Sequence, residues 1–572
     1  MGRRYHGVAA SDGIAIAPVF VVNAAVKNVE KREDVTVEQE LSKLEDAIAR
    51  TKAELQQLYE TANQKLGASH AQIFVAHLQI LDDPEFVGAI QSTMQTEHVN
   101  VEYALTSVTS QLVAIFEQMD DEYMRQRSSD IKDVSQRVLG HLQGTSRASL
   151  AALEEPVILV AEDLTPSDTV VLDKNLVHAF VTDVGGRTSH SAIMARSLGI
   201  PAVVGLGEIS QAVEPGMTVI VNGLDGEVIV DPTPDELAMY RRRMEEDANQ
   251  RQQLQALRFE PTVTTDGHQV ELAGNIGGPA DVDNVQENGG EGIGLFRSEF
   301  LYMNRNAAPT EEEQFQAYRE VAERMAGKPV VIRTLDVGGD KEIPYLDLPK
   351  ESNPFLGYRA IRVCLDTPEL FKTQLRAILR ASHYGHIKLM FPMISNVMEI
   401  RQAKQLLKAV QSELRDASIP FDEQMEIGIM VEIPASAVIA DVLAQEVDFF
   451  SIGTNDLIQY TMACDRMNDR ITHLYQPYHP AILRLVKMVV NGAHQHGKWV
   501  GMCGEMAGDL TAVPILLGLG LDEFSMSGGS ILRVRQLIRD LSYERAQALA
   551  DEALKQDSQQ AVEELVAKWS SH

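Results

Sequence analysis

Residues 427–456, IGIMVEIPASAVIADVLAQEVDFFSIGTND, carry the pattern that decides the fold of the second half of the chain. A short apolar run ends at Glu432, a longer helix-like segment follows, and a second apolar run, FFSIG, ends at Asn455 and Asp456. Runs of about four to eight apolar residues read as strands buried on both faces, and the intervals between them are long enough for helices. Outward from this stretch the same alternation recurs from about Pro261 onward, in VELAGNI, GIGLF, PVVIR, IKLMF, IGIMVE, FFSIG, WVGMC and EFSM. Eight strand–helix units in about 300 residues fit a (β/α)8 TIM barrel, which typically takes about 250 residues and more with insertions. An open doubly wound sheet is the alternative, because strand order cannot be read from a sequence.

Catalytic side chains of a barrel emerge at the C-terminal ends of its strands, so the polar residues that close the apolar runs are the ones to inspect. Arg297, Arg333, Glu432, Asn455 with Asp456, and Cys503 stand there. Paired arginines bind phosphate or carboxylate in bidentate fashion, whereas a single arginine after a strand is more often in a surface ion pair. Glu432 and Asp456 are hard oxygen ligands of the kind Mg²⁺ takes, or else simple acceptors for a neighbouring arginine or amide. Cys503 sits in a glycine-flanked loop where a thiol could deliver a proton, although a free cysteine is commonly a small buried hydrophobe.

In the first half, strand-like runs at Val8 and Ile14–Val22 give way from about Val35 to Leu142 to helical spacing, as in Val37, Leu41, Leu44 and Ile48. Strand-like runs return after Pro156, so the helices are an insertion in a mixed α/β domain or a lobe beside it. The polar segment Asp235–Arg258 reads as a linker helix. Within TDVGGRTSHSAIMARSLGIPAVVG (182–205), Thr188 or Ser189 can cap a helix whose first turn holds His190. An anion on that imidazole would meet free N–H groups and the positive end of the helix dipole, although a lone histidine is more often merely exposed.

With 51 Lys and Arg against 82 Asp and Glu, the net charge of −31 opposes binding to nucleic acid or anionic lipid, so any anionic ligand needs a local basic pocket. Three widely spaced cysteines form neither a disulfide framework nor a CxxC metal site. No apolar leader or membrane-length run occurs, and a cytoplasmic protein without membrane insertion is expected.

The motifs also carry a resemblance. GGRTSHSAIMARSLGIPAVVG (185–205) resembles the phosphohistidine signature of enzyme I of the bacterial phosphoenolpyruvate:sugar phosphotransferase system and of the related dikinases and synthases. DFFSIGTNDLIQYTMACDRMN (448–468) with LYQPYHPAIL (474–483) resembles the phosphoenolpyruvate-binding segment of that family. GIGLFRSEFLY, VIRTLDVGGDK, NPFLGYRAIR, MVEIPASA and GMCGEMAGD follow in the family's order, so the resemblance spans nearly the whole chain.

The resemblance implies a swivelling phosphohistidine α/β domain (1–34 and 146–232) with an inserted helical bundle (35–145) that binds the carrier HPr. A linker helix (233–260) and a phosphoenolpyruvate-binding, dimer-forming barrel (261–572) complete the expected organisation. It implies phosphoryl transfer from phosphoenolpyruvate to His190 and then to HPr, with release of pyruvate, as the first step of sugar uptake. Thr169 would orient the imidazole. Arg297, Arg333, Arg466, Asn455 and Asp456 would hold phosphoenolpyruvate, with Lys341 and Arg359 as further anion contacts. Glu432 and Asp456 would bind Mg²⁺, or Mn²⁺ in its place, and Cys503 would protonate the enolate.

Two positions depart from the family pattern. Val75 replaces an expected acidic residue in the docking stretch IFVAHLQILDDPEF, and Cys464 stands where a small residue is expected. A dikinase or synthase would need a nucleotide-grasping domain, and the nitrogen-related paralogue an N-terminal sensory domain. The first 150 residues are too short and too helical for the former and hold no GxxxxGKS or GxxxxGKT motif, and the latter is not expected because the enzyme I opening GVAASDGIAIAP begins at Gly7. A non-catalytic carrier-binding homologue would not need the catalytic positions, all of which are present.

Overall fold

The computed structural model describes residues 2–22, 29–66, 68–117, 122–144, 153, 155–164, 168, 172–173, 175–186, 189–303, 305–339, 343, 345–346, 348–466 and 468–570. The chain divides into two compact units, 1–249 and 250–572.

In the second unit every apolar run becomes a strand. β9 (Glu271–Ile276), β10 (Gly292–Arg297), β11 (Val330–Arg333), β12 (Ile387–Phe391), β13 (Ile427–Val431), β14 (Phe449–Ile452), β15 (Trp499–Met502) and β16 (Glu523–Met526) pair in parallel, each with the next. The pairing of β16 with β9, Glu523 opposite Glu271, closes the barrel and rules out the open sheet. Inward-facing Leu295, Val331, Met390, Met430 and Phe449 fill the lumen, and Trp499 stacks on Phe449 with ring centroids 4.5 Å apart. The barrel is thus a packed core whose two ends remain for chemistry. Among the described residues no helix is long and apolar enough to cross a membrane.

In the first unit, β1 (Arg3–His6), β2 (Val8–Ser11), β3 (Ile14–Val21), β4 (Val157–Ala161), β5 (Val177–Thr182), β6 (Ala202–Val204), β7 (Thr218–Asn222) and β8 (Glu227–Val230) form one mixed sheet. Its order is β1-β8-β7-β3-β4-β5-β6-β2. Among the described residues five helices, from Val37–Leu66 to Glu122–Gln143, lie in the chain between β3 and β4, which are parallel neighbours. They are an insertion, not a lobe appended beside the sheet. They pack their own core around Leu44, Leu55, Phe74, Met94 and Val134.

The polar helix after β8 runs from Pro234 to Ala256, starting one residue before the predicted segment. Proline suits a first helical position, where its missing N–H has no intrahelical partner to lose. Just beyond this helix the chain is fastened to the barrel by Arg535, only 1% exposed. Its guanidinium donates to the Leu257 carbonyl (3.2 Å), the Arg258 carbonyl (2.8 Å), the Gly289 carbonyl (2.7 Å) and the Thr262 hydroxyl (3.1 Å). Each buried acceptor stripped of its donor costs roughly 1–3 kcal/mol. Arg535→Met is therefore expected to destabilise the barrel by about 3 kcal/mol or more, read as a lower urea midpoint.

Candidate active site

Arg297 and Arg333 are the last residues of β10 and β11 and lie in register. Side chains in register on neighbouring parallel strands point to the same side of the sheet, so both arginines stand at one mouth of the barrel. Arg333 is buried and donates to Glu299 (2.5 Å) and pairs with Asp336 (3.1 Å). Arg359 is equally buried and straddles Asp336 (3.0 and 3.1 Å), reaching Asp456 Oδ2 at 3.3 Å and the Tyr460 hydroxyl at 3.2 Å. Asp336 therefore grips both guanidinium groups. Burial works against these charges, but Glu299 and Asp336 around Arg333, and Asp336 and Asp456 around Arg359, hold both above the ordinary arginine value.

Glu432 stands just past β13, where it accepts the Met393 N–H at 2.6 Å. Met393 presents that N–H from a left-handed backbone conformation, φ 55°. Burial, followed by the charges of Asp456 and Asp336, pushes the Glu432 carboxyl up to about 8 against the pull of Arg359 and Arg333. Asp456 is in the first turn of the helix Thr454–Met462, and its Oδ1 is buried without a hydrogen bond. The two carboxylates thus have the simple partners that the sequence allows, yet they retain an orphaned oxygen and mutual repulsion. Both features fit an oxygen-preferring divalent cation. Among the described residues no three His, Cys, Asp or Glu side chains form a ready metal cage, so substrate and water would have to complete the coordination.

Asn455 and Glu505 clasp each other, Asn455 Nδ2 donating to Glu505 Oε1 (3.1 Å) and the Glu505 N–H donating to Asn455 Oδ1 (3.2 Å). This ties together the loops after β14 and β15. Arg466 follows the left-handed Ala463 (φ 50°) that ends the helix, and its N–H donates to the Gln459 side chain at 3.0 Å. Cys503 is 3% exposed. Burial pushes its thiol up to about 11, although Ser451 and the charges of Arg333 and Arg297 favour the thiolate. Both arginines therefore lie within electrostatic reach of one sulfur atom.

In the first unit Ser189, not Thr188, is the described cap of the helix His190–Leu198. Its hydroxyl accepts the Ala192 N–H at 3.3 Å, and Gly199 closes the helix in the left-handed conformation. The backbone of His190 opens this helix, whereas its side chain, Thr169 and Lys341 lie outside the described residues.

Comparison with known proteins gives the family. The family pattern "PEP-utilising enzyme, PEP-binding domain" matches residues 251–543, the N-terminal pattern 6–127 and the mobile-domain pattern 153–226. The phosphoenolpyruvate-protein phosphotransferase of Priestia megaterium is 55% identical over 566 residues, covering 99% of each chain. The chain belongs to the phosphoenolpyruvate-protein phosphotransferases. Those of Listeria monocytogenes (54% identical, 100% of each chain) and Bacillus subtilis (55%, 98% of each chain) are similarly near.

In this phosphoenolpyruvate-protein phosphotransferase, sequence reasoning passed over Glu299, Asp336 and Asn275. Glu299 and Asp336 follow Arg297 and Arg333 by two and three residues, so a search for counter-charges beside the strand-end arginines would have found them. Asn275, near the end of β9, donates to the Cys503 carbonyl at 3.0 Å and accepts from Ser525 at 2.6 Å. It lay hidden inside an apolar run.

The raised thiol gives a pH prediction. A folded value above the unfolded 9.0 means that the native state holds this proton more tightly. The resulting stabilisation is complete below pH 9 and lost as pH climbs toward 11. Urea midpoints between pH 8 and 11 should fall less steeply for Cys503→Ala than for the parent protein.

Proposed function

We propose that this phosphotransferase moves the phosphoryl group of phosphoenolpyruvate to His190 and then to a histidine of HPr, releasing pyruvate, as the first step of phosphotransferase-system sugar uptake. The observation that carries the reading is the convergence of two strand-end guanidinium groups and the Glu432–Asp456 carboxylate pair on the Cys503 thiol at one barrel mouth.

Phosphoryl transfer demands mainly alignment and neutralisation of charge, because its transition state is loose and the equatorial oxygens carry the negative charge. Arg297 and Arg333, with Arg466 at the rim, clamp the phosphate and carboxylate. Asn455, held by Glu505, orients the enol side, and Lys341 and Arg359 add positive charge. Glu432 and Asp456 would hold Mg²⁺ or Mn²⁺, which when bound supplies positive charge to the phosphate and enolate oxygens. An imidazole nitrogen of His190, oriented by Thr169, attacks phosphorus in line, and the phosphoryl group then rests against the free N–H groups of the helix His190–Leu198. The protonated Cys503 thiol gives its hydrogen to the methylene carbon, forming pyruvate.

The histidine and the mouth belong to different units, so the phosphohistidine domain (1–34 and 146–232) swivels between donor and carrier. The helical insertion (35–145) receives HPr, with Val75 altering the charge of the docking stretch. The linker (233–260) joins these to the barrel (261–572), which forms the homodimer. Val438, Val442 and Met488, 61%, 44% and 49% exposed on helices packed against one another, supply an apolar patch for that contact. The reaction is placed in the cytoplasm.

His190→Ala is expected to abolish acid-labile label from radioactive phosphoenolpyruvate, and undiminished label on that variant removes the assignment. Cys503→Ala should lower pyruvate formation by roughly a hundredfold or more while sparing labelling of His190 to a greater extent. Rapid-quench measurement of both products reads this, and equal loss of the two excludes the thiol as donor.

A further inference from the structure

Cys503 lies one residue past the ladder that joins β15 to β16, which pairs Gly501 with Glu523 and Met502 with Phe524. Its carbonyl is taken by a side chain. Asn275 Nδ2, from β9, donates to the Cys503 carbonyl at 3.0 Å and to the Ser525 carbonyl at 3.4 Å. One amide thus stitches the ends of β15 and β16 together from the strand on the far side of β16. Ser525 Oγ donates in turn to Asn275 Oδ1 at 2.6 Å. Backbone carbonyls only accept, so the nitrogen must face them and the oxygen must face the hydroxyl, which fixes the amide in one orientation. Ser525 is fully buried in room left by Gly294, where a methyl group would sit 2.5 Å from the Ser525 Oγ. Asn275 is the register partner of Leu295, which lines the lumen in one cluster with Cys503, so its side chain faces the same interior.

The other side of Cys503 is fixed as well. Its N–H donates to the Ile452 carbonyl at 3.1 Å, and its thiol approaches the same oxygen at 3.8 Å, a weak contact. A methyl group on the next residue, Gly504, would overlap Thr454 Oγ1 and sit 2.6 Å from the Thr454 nitrogen. The backbone after Cys503 is therefore pressed against the first turn of the helix Thr454–Met462, which carries Asn455 and Asp456. Between that helix and the Asn275 amide, the Cys503–Gly504 peptide has little freedom to turn. The thiol is the most weakly held part of the residue, so its position follows from that of its backbone.

We propose that Asn275 is a positioning residue for Cys503, its amide holding the Cys503–Gly504 peptide so that the thiol reaches only one face of the enolate's methylene carbon. The proposal rests on Cys503 being the donor to the enolate. In that step the S–H bond breaks and its electrons stay on sulfur, while the π pair of the enolate forms a C–H bond at the methylene carbon and the oxyanion closes to the ketone. Water returns a proton to the thiolate after pyruvate leaves. A thiol held in one direction adds hydrogen to one face, whereas bulk water adds it to either. Misplacing a reacting group by about 1 Å can cost roughly a hundredfold, so a single hydrogen bond to the backbone of the donor is enough to matter. Asn275 touches no substrate and moves no proton, and phosphoryl transfer to His190 does not call on it.

The test compares full-length parent, Asn275→Leu, Ser525→Ala and Cys503→Ala. Each turns over phosphoenolpyruvate carrying tritium at one defined methylene position, in heavy water with Mg²⁺ and excess HPr, and the pyruvate is trapped at once as lactate for analysis of methyl chirality. The parent should give one handedness. Asn275→Leu should label His190 within about twofold of the parental rate while thiol-delivered product falls roughly tenfold or more. Its methyl group becomes nearly racemic, because the released enolate takes deuterium from water on either face. Ser525→Ala keeps the donor but frees the amide to turn, so it should lose part of the handedness, and it carries the test alone should Asn275→Leu not fold. A single-handed product from every folded variant at these two positions overturns the proposal. Loss of label and pyruvate together, with handedness intact, does so as well, because that is the mark of a purely structural role. Racemic product from the parent, or single-handed product from Cys503→Ala, instead removes the donor assignment, and the positioning role with it.

Discussion

The double grip of Asp336 on Arg333 and Arg359 is the contact on which the mouth of the barrel depends. Taking a guanidinium out of water costs several kcal/mol, and only well-placed carboxylates offset it. One aspartate serving two arginines fixes the angle between them, and Glu299 and Asp456 settle their outer edges. Arg333, which closes β11, and Arg359 beside it are then held at the mouth instead of swinging toward solvent. This arrangement leaves more carboxylates than the arginines can fully neutralise. The excess falls on Glu432 and on the orphaned oxygen of Asp456, so the same ledger of charges that aims the arginines also shapes a place for a cation.

The backbone at this mouth is held away from its relaxed state. Ala360 and Met393 both have positive φ, 54° and 55°, which costs a residue with a side chain of order 1 kcal/mol or more. Ala360 directly follows Arg359, and Met393 supplies the amide that Glu432 accepts. Such strain persists only where the surroundings over-determine it, and here a buried ion-pair network and a closed barrel provide that constraint.

Most of the barrel was legible in the sequence because parallel strands buried on both faces leave uninterrupted apolar runs. The ends of those runs pointed to Arg297, Arg333, Glu432, Asp456 and Cys503, all of which stand at or just past the C-terminal ends of barrel strands. Closure itself was not legible, because nothing in β16 announces β9 as its neighbour. Ser525 escaped notice for a related reason. It stands inside a run, and reading only the ends of runs discards a hydroxyl group whose room is left by Gly294 on a strand far away in sequence. Asp336 and Glu299 were open to view but passed over, because their burial beside Arg333 becomes visible only once the loops are folded over the lumen. The choice between insertion and lobe for the helices rested on strand order, which three-dimensional pairing alone supplies.

That insertion has a topological consequence. β3 and β4 run parallel, so the chain leaving one must travel the length of the sheet before entering the other, which a dozen or so residues could accomplish. The five helices are an enlarged version of this obligatory crossing. Lengthening a connection adds little to its closure entropy, and these helices bury a core of their own. The crossing therefore carries a separate core and surface of its own while the β3–β4 ladder beneath keeps its register.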